Sequence, residues 1–298
     1  MNKRLPAILA AIGASTIYGI NHTVAKDLMP EFIQPYGFIF LRVTGAAILF
    51  WLISFWGPKE KVATGDWPRI ITCTVLGMVI NMLLFFKGLS LTTPINSSVI
   101  TTITPIMVLI LASILIKEKI TLLKTAGIFT GLAGAVMLIF FSAGSTVNAP
   151  NIPLGNLFVI INALSYGLYL IMVKPLTAKY HPFTLMKWLF LFAVFINLPL
   201  TIHEFLEVQW TSLPSHAIIK MSFVVVGTTF LTYLLNVYAL KQLSASTISA
   251  FVYLQPLIAI IYAVSMGADS LNLIKVVAAI LVFSGVYMVT KKKTETRS

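Results

Sequence analysis

Arg42 sits inside an apolar run that extends from Ile33 to Trp56. An unpaired arginine at the centre of a membrane helix costs about 2.5 to 3.5 kcal/mol on insertion scales, so this side chain needs a partner. The nine acidic residues, Asp27, Glu31, Glu60, Asp66, Glu118, Glu204, Glu207, Asp269 and Glu295, all fall between apolar runs or at their ends, and none is an obvious counter-ion. Two roles fit Arg42. It can hydrogen-bond backbone carbonyls or Asn side chains, or it can grip an anionic group on a bound solute through its planar fork.

A second group of polar residues clusters ahead of two prolines. Asn96, Ser97, Ser98, Thr101, Thr102 and Thr104 precede Pro105, and Thr247, Ser249, Tyr253 and Gln255 precede Pro256. A proline within a helix removes a backbone hydrogen bond and frees a carbonyl, which is tolerated in a membrane where the helix borders a cavity. Pro105 and Pro256 are therefore expected to kink helices that line a pathway. Tyr18, Asn21, His22, Asn81, Tyr166, Tyr169 and Tyr233 add polar and aromatic groups from other runs. The competing role for any of these side chains is interhelical glue, worth about 0.6 to 2 kcal/mol.

Catalysis has no visible machinery. The histidines, His22, His181, His203 and His216, lie near the ends of runs without HExxH or ligand spacing, and Cys73 is a lone cysteine in an apolar stretch. No catalytic residue, metal or cofactor is expected. The net charge of +12 comes from basic residues in connectors and termini, a distribution unlike a nucleic-acid-binding patch. The partners expected are a small-molecule solute and the lipid bilayer.

The elements that must position these residues are membrane helices. The chain is 58% hydrophobic and 10% charged, with a mean hydropathy of +0.94. Spans are expected at about 5–25, 33–56, 69–91, 94–116, 121–142, 153–173, 183–203, 216–238, 244–266 and 271–290. The run beginning at Leu5 continues to Ala25 without a convincing cleavage site, so it reads as a retained first helix. With the N-terminus inside, the 21 basic residues divide into sixteen on the cytoplasmic side, four outside (Lys26, Lys87, Lys220 and Lys275) and Arg42 within a span. Both termini are thus expected in the cytoplasm, in an inner or plasma membrane.

The chain also repeats itself. An offset of 151 aligns Leu89–Leu138 with Leu240–Val289 without a gap and with nine identities, among them Ser98 with Ser249, Pro105 with Pro256, Lys124 with Lys275 and Gly134 with Gly285. Five spans per copy is an odd number, so the second copy enters the membrane with opposite orientation. The expected fold is all-α integral membrane, with ten transmembrane helices as two inverted five-helix repeats. The first repeat covers 1–142, a linker 143–152, the second repeat 153–290 and a basic tail 291–298. Inverted repeats commonly hold a solute site near the midplane and alternate access by rocking, which points to transport. A passive channel, a structural membrane protein and an intramembrane enzyme are the alternatives.

Several stretches resemble the drug/metabolite transporter superfamily, in its ten-helix branch with two EamA domains. They are AIGASTIYGIN (Ala11 to Asn21), FLRVTGAAILF (Phe40 to Phe50), NSSVITTITPIMVLILASILIKEKIT (Asn96 to Thr121) and the Gly-rich LLKTAGIFTGLAGAVML (Leu122 to Leu138). The second copy carries ISAFVYLQPLIAIIYAV (Ile248 to Val264). The second copy departs from the pattern at Asp269, which stands where the first has Glu118, and Tyr18 replaces the usual Trp. The resemblance implies export of small metabolites such as amino acids or related solutes.

Overall fold

The computed structural model describes residues 4–29, 31–92, 97, 100–141, 151–265 and 273–291, with side chains except at 22, 23, 26, 27, 138–141, 259, 260 and 263–265. The His22 side chain, Asn96, Asp269, most of the expected linker and nearly all of the basic tail lie outside this description. No strand occurs among the described residues.

The helices follow the apolar runs. They are α1 (Arg4–Leu28), α2 (Pro35–Ser54), α3 (Trp67–Thr74), α4 (Asn81–Leu91), α5 (Thr104–Leu115), α6 (Leu122–Phe141), α7 (Ile152–Lys179), α8 (Pro182–Leu206), α9 (Ser215–Phe223), α10 (Thr232–Leu240), α11 (Ala245–Ala250), α12 (Leu254–Ser265) and α13 (Leu273–Thr290). A π-helical segment, Val75–Ile80, joins α3 to α4, and another, Val224–Leu231, joins α9 to α10. A short 3-10 segment, Phe251–Tyr253, joins α11 to α12. Among the described residues six continuous helices, 35–54, 64–91, 152–179, 182–206, 215–240 and 273–290, are long and apolar enough to cross a membrane. Large apolar side chains such as Leu52, Ile114, Phe195, Leu200, Ile280 and Phe283 point outward, as lipid-facing residues do.

Helix α7 outruns its expected span by several residues and ends at Lys179. Its last turns carry Lys174, whose ammonium donates to the carbonyls of Leu240 and Leu243, so the charge is held at a helix end.

The packing has an internal symmetry. Helix α1 packs on α10 and α12, and α7 packs on α4 and α5; α2 packs on the second π segment, and α8 on the first. Exchanging the two halves converts each of these pairs into the other. Two further major pairs, α2 with α8 and α6 with α13, join equivalent helices to each other.

The two self-paired contacts run antiparallel. Glu204, near the end of α8, accepts from the backbone N–H groups of Tyr36 (2.6 Å) and Gly37 (3.0 Å) at the start of α2. Glu60, just beyond α2, accepts from His181 N–H (2.7 Å) at the start of α8. Each carboxylate thus satisfies unpaired donors and sits against the positive end of a helix dipole. Helices α6 and α13 meet at glycines: a Cβ on Gly285 would lie 2.5 Å from the Gly131 nitrogen, and one on Gly134 would lie 2.7 Å from the Ala278 carbonyl. Backbones can approach this closely only because the side chains are absent.

Candidate functional site

The site is built on the first π segment. A π turn lengthens the hydrogen-bond register and leaves backbone carbonyls short of their usual partners. In a membrane interior water cannot supply them, so side chains must. Three side chains of the second half donate to carbonyls of the segment, and a fourth donates to that of Asn81, the residue after it. Ser165 Oγ donates to Leu76 O (2.7 Å), Tyr233 Oη to Gly77 O (3.2 Å), Asn197 Nδ2 to Met78 O (3.3 Å) and Asn162 Nδ2 to Asn81 O (2.7 Å). The second π segment is satisfied differently, by its own threonines. Thr228 and Thr229 both donate to Val224 O, at 2.7 and 2.9 Å, and Thr232 donates to Thr228 O at 2.6 Å.

Gly77 also makes room for an aromatic ring. A Cβ at this position would lie 2.5 Å from the Tyr169 ring. Tyr169 is followed by two more rings: its centroid is 6.1 Å from that of Tyr166 and 6.4 Å from that of Tyr233. Together with Tyr18 and Asn236 these tyrosines border a narrow crevice, closed at its sides by Leu170, Val173, Val237 and Leu240. The space is thin throughout and does not admit a free water molecule.

Arg42 lies beside this cluster, 6% exposed. Its Nε donates to Thr229 Oγ1 at 3.0 Å, and its guanidinium carbon stands 5.4 Å from the Phe86 ring centroid and 5.8 Å from that of Phe38. Aromatic faces of this kind attract a weakly hydrated cation. Its partner Thr229 stands one helical turn before Tyr233, one of the crevice tyrosines.

A second polar centre joins the halves at one end of the bundle. Helix α5 ends on Lys117, whose φ of 52° is left-handed, and Glu118 N–H closes back to Ala112 O at 3.1 Å. This six-residue closure is a helix-ending turn that aims the next side chain backward. Glu118 meets Lys124 at 2.7 Å and Ser246, and Lys124 also reaches Ser244 (3.2 Å) and Ser246 (3.3 Å) at the start of α11. Burial pushes the Glu118 carboxyl up, but hydrogen bonds from Lys124 and Ser246 outweigh it and hold the group below the usual range. An open cavity of about 800 Å³ lies beside this centre, edged by Arg4, Lys119, Lys124 and Lys291.

The EamA-like transporter family matches the chain twice, over residues 5–140 and 153–291. The chain belongs to this family. It is thus a multi-pass membrane transporter of the drug/metabolite transporter superfamily, and not an enzyme. Among its relatives, an uncharacterized transporter of Archaeoglobus fulgidus is 28% identical over 280 residues, covering 93% of this chain and 96% of that one. The uncharacterized transporter YyaM of Bacillus subtilis is 23% identical over 303 residues, covering 99% of each. A solved crystal structure superposes with a TM-score of 0.78 at 15% identity, covering 96% of this chain and 97% of its own, which shows a shared fold.

Within this EamA architecture the residues singled out from the sequence divide into groups. Tyr18, Tyr166, Tyr169 and Tyr233 come together at the crevice, with Arg42 behind them. Asn81 contributes its backbone carbonyl. Asn21 keeps a buried Oδ1 that has no hydrogen-bond partner among the described residues. Thr102 is buried, and Thr101 donates to Ser97 O at 2.8 Å. Helix α5 restarts at Thr104 with Pro105 in its first turn, after turn residues at 102 and 103, and α12 restarts at Leu254 just ahead of Pro256.

Ser249 is fully buried and donates to Ser246 O at 3.0 Å. Tyr253 turns away from the crevice and lays its ring on Gly131 of α6, where a Cβ would be 2.5 Å from it. Gln255 abuts Gly19 of α1 through its carbonyl, 2.9 Å from an added Cβ. The residues that receive least notice in the sequence are Ser165, Asn162 and Thr229. Each is a polar side chain in an apolar run, but nothing in the spacing marks a π turn as its target.

Proposed function

We propose that this chain moves small organic solutes across the bilayer by alternating access, with the tyrosine-lined crevice as the point where the two halves open and close. The observation that carries the reading is the set of four side chains from the second half that donate to backbone carbonyls of the first, on the π segment and at the residue after it. These are bonds between the bodies that must move, at the position where a pathway would cross. The exchange symmetry of the helix contacts and the antiparallel α2/α8 and α6/α13 pairs support ten spans arranged as two inverted repeats, 1–142 and 153–290. Such repeats rock about a site between them.

In this reading the solute passes Tyr18, Tyr166, Tyr169, Tyr233 and Arg42, with Asn21, His22, Asn81, Asn96, Thr101, Thr102, Ser249, Tyr253 and Gln255 on the flanking surfaces and Pro105 and Pro256 as the flexing points. The substrates are amino acids or related metabolites, moved outward across an inner or plasma membrane with both termini in the cytoplasm.

The test is counterflow in proteoliposomes, with and without an imposed pH gradient, beside single cysteines at Tyr166 and Asn236 in a Cys73→Ala background. Solute counterflow and labelling of both cysteines by small aqueous thiol reagents, suppressed by a transported solute, are expected. Conduction that passes solute without counterflow stimulation, or two cysteines that stay unlabelled while connector controls react, overturns the reading.

A further inference from the structure

Arg42 carries a positive charge into the bundle, and among the described residues no carboxylate pairs with it. The described acidic side chains that could serve are engaged elsewhere: Glu60 on His181 N–H, Asp66 on Lys179 and Tyr180, Glu118 on Lys124, Glu204 on the start of α2 and Glu207 on His203. Glu31 is exposed.

The contacts Arg42 does make are selective. Thr229 takes Nε alone, and the guanidinium carbon stands over the Phe86 and Phe38 rings, 5.4 and 5.8 Å from their centroids. Among the described residues neither terminal nitrogen has a hydrogen-bond partner. The end-on edge of the fork, which presents two parallel N–H donors, therefore stays open. That edge matches the two oxygens of a carboxylate.

Its neighbours show where such an anion would lie. Thr229, which accepts from Arg42, stands one helical turn before Tyr233, and Tyr233 lines the crevice with Tyr18. Once the two halves part, a ligand anchored on the guanidinium would extend its body among Tyr166, Tyr169 and the aliphatic wall formed by Leu170 and Val237. Aromatic and aliphatic surfaces of this kind favour a flat, apolar body.

We infer that the transported solutes are small carboxylates with an aromatic or otherwise apolar body, and that Arg42 binds their carboxylate end-on between Tyr18 and Tyr233. The inference rests on the transport reading above and specifies its substrate class. The anion missing from the protein arrives with the substrate, and a neutral analogue leaves the buried charge uncompensated.

The experiment compares matched pairs: phenylacetate with phenylacetamide, 4-hydroxyphenylacetate with its amide, and benzoate with benzamide. Ligand-induced thermal stabilisation of the purified protein gives binding, and inhibition or stimulation of counterflow in proteoliposomes gives transport. At least one carboxylate is expected to bind wild type about ten- to a hundredfold more tightly than its amide. Arg42→Gln should erase that difference, and Arg42→Lys should restore part of it, because an ammonium keeps the charge but not the fork.

The wild-type comparison stands even if a variant fails to fold. Equal binding of acid and amide, or binding of neither across all three pairs, overturns the inference, as does a preference that Arg42→Gln leaves intact. Counterflow of neutral solutes that Arg42→Gln leaves unchanged overturns the inference while the transport reading survives. Absence of counterflow for any solute overturns both.

Discussion

Tyr233 donates its phenolic proton to the carbonyl of Gly77, 156 residues earlier, at 3.2 Å. The two residues belong to opposite halves of the chain and to the two helices that carry π segments. The same glycine leaves room for the Tyr169 ring, so one residue without a side chain serves both as acceptor and as a seat for an aromatic.

Replacing Tyr233 with Phe keeps the ring and strands the Gly77 carbonyl. A buried acceptor left unsatisfied costs about 1 to 3 kcal/mol, and the thermal midpoint should fall accordingly. Because the bond joins the two halves, the rate of counterflow should change as well. Gly77→Ala should be at least as damaging, since its Cβ would come within 2.5 Å of Tyr169. Wild-type stability and transport in both variants would show that the contact carries no weight.

The α6/α13 seam gives a purely architectural prediction. An alanine at Gly285 would press its Cβ to 2.5 Å from the Gly131 nitrogen and 2.6 Å from the Gly127 carbonyl, both backbone atoms that cannot rotate aside. The helices must separate, and folded yield in detergent should drop sharply. Gly65→Ala, which meets nothing within 4 Å, is the matched control and should behave as wild type. Size-exclusion recovery of the two variants measures the difference.

The Glu118 carboxylate predicts a pH dependence of known sign. Its folded-state value lies below the ordinary one, so its ionised form is favoured by folding. The contribution is fully present above the unfolded value of about 4.3 and is lost as pH falls through the lower folded value. Thermal midpoints of wild type measured from pH 7 down to pH 3 should show this loss at the acid end, and Glu118→Gln should lack that component. An acid limb of equal size in the variant would assign the loss to other carboxylates.

Topology follows from the division of basic residues. Reporter fusions at Lys59, at Lys117 and after Ser298 are all expected to read cytoplasmic, because sixteen of the basic residues accumulate on that side against four on the other. An external reading at the C-terminus would break the even count of spans.

The helices and their approximate limits are legible in the sequence because a bilayer demands unbroken apolar runs, and hydropathy records that demand directly. The repeat is legible in the same way, through Pro105 with Pro256 and Gly134 with Gly285 at one offset. So is the need of Arg42 for a polar partner, which Thr229 supplies, because a charge in an apolar run has few inexpensive explanations. The tertiary structure decides which polar residues meet. The composition of a run does not say which of its faces turns inward. Tyr166 and Tyr169 therefore reach the crevice, whereas Tyr253 packs on Gly131, although all three stand in apolar runs. The π segments are likewise invisible beforehand, since a single lengthened turn is selected by packing and by side chains elsewhere in the chain. Ser165, Asn162, Asn197 and Tyr233 acquire their roles only when the second half folds against these backbone carbonyls of the first.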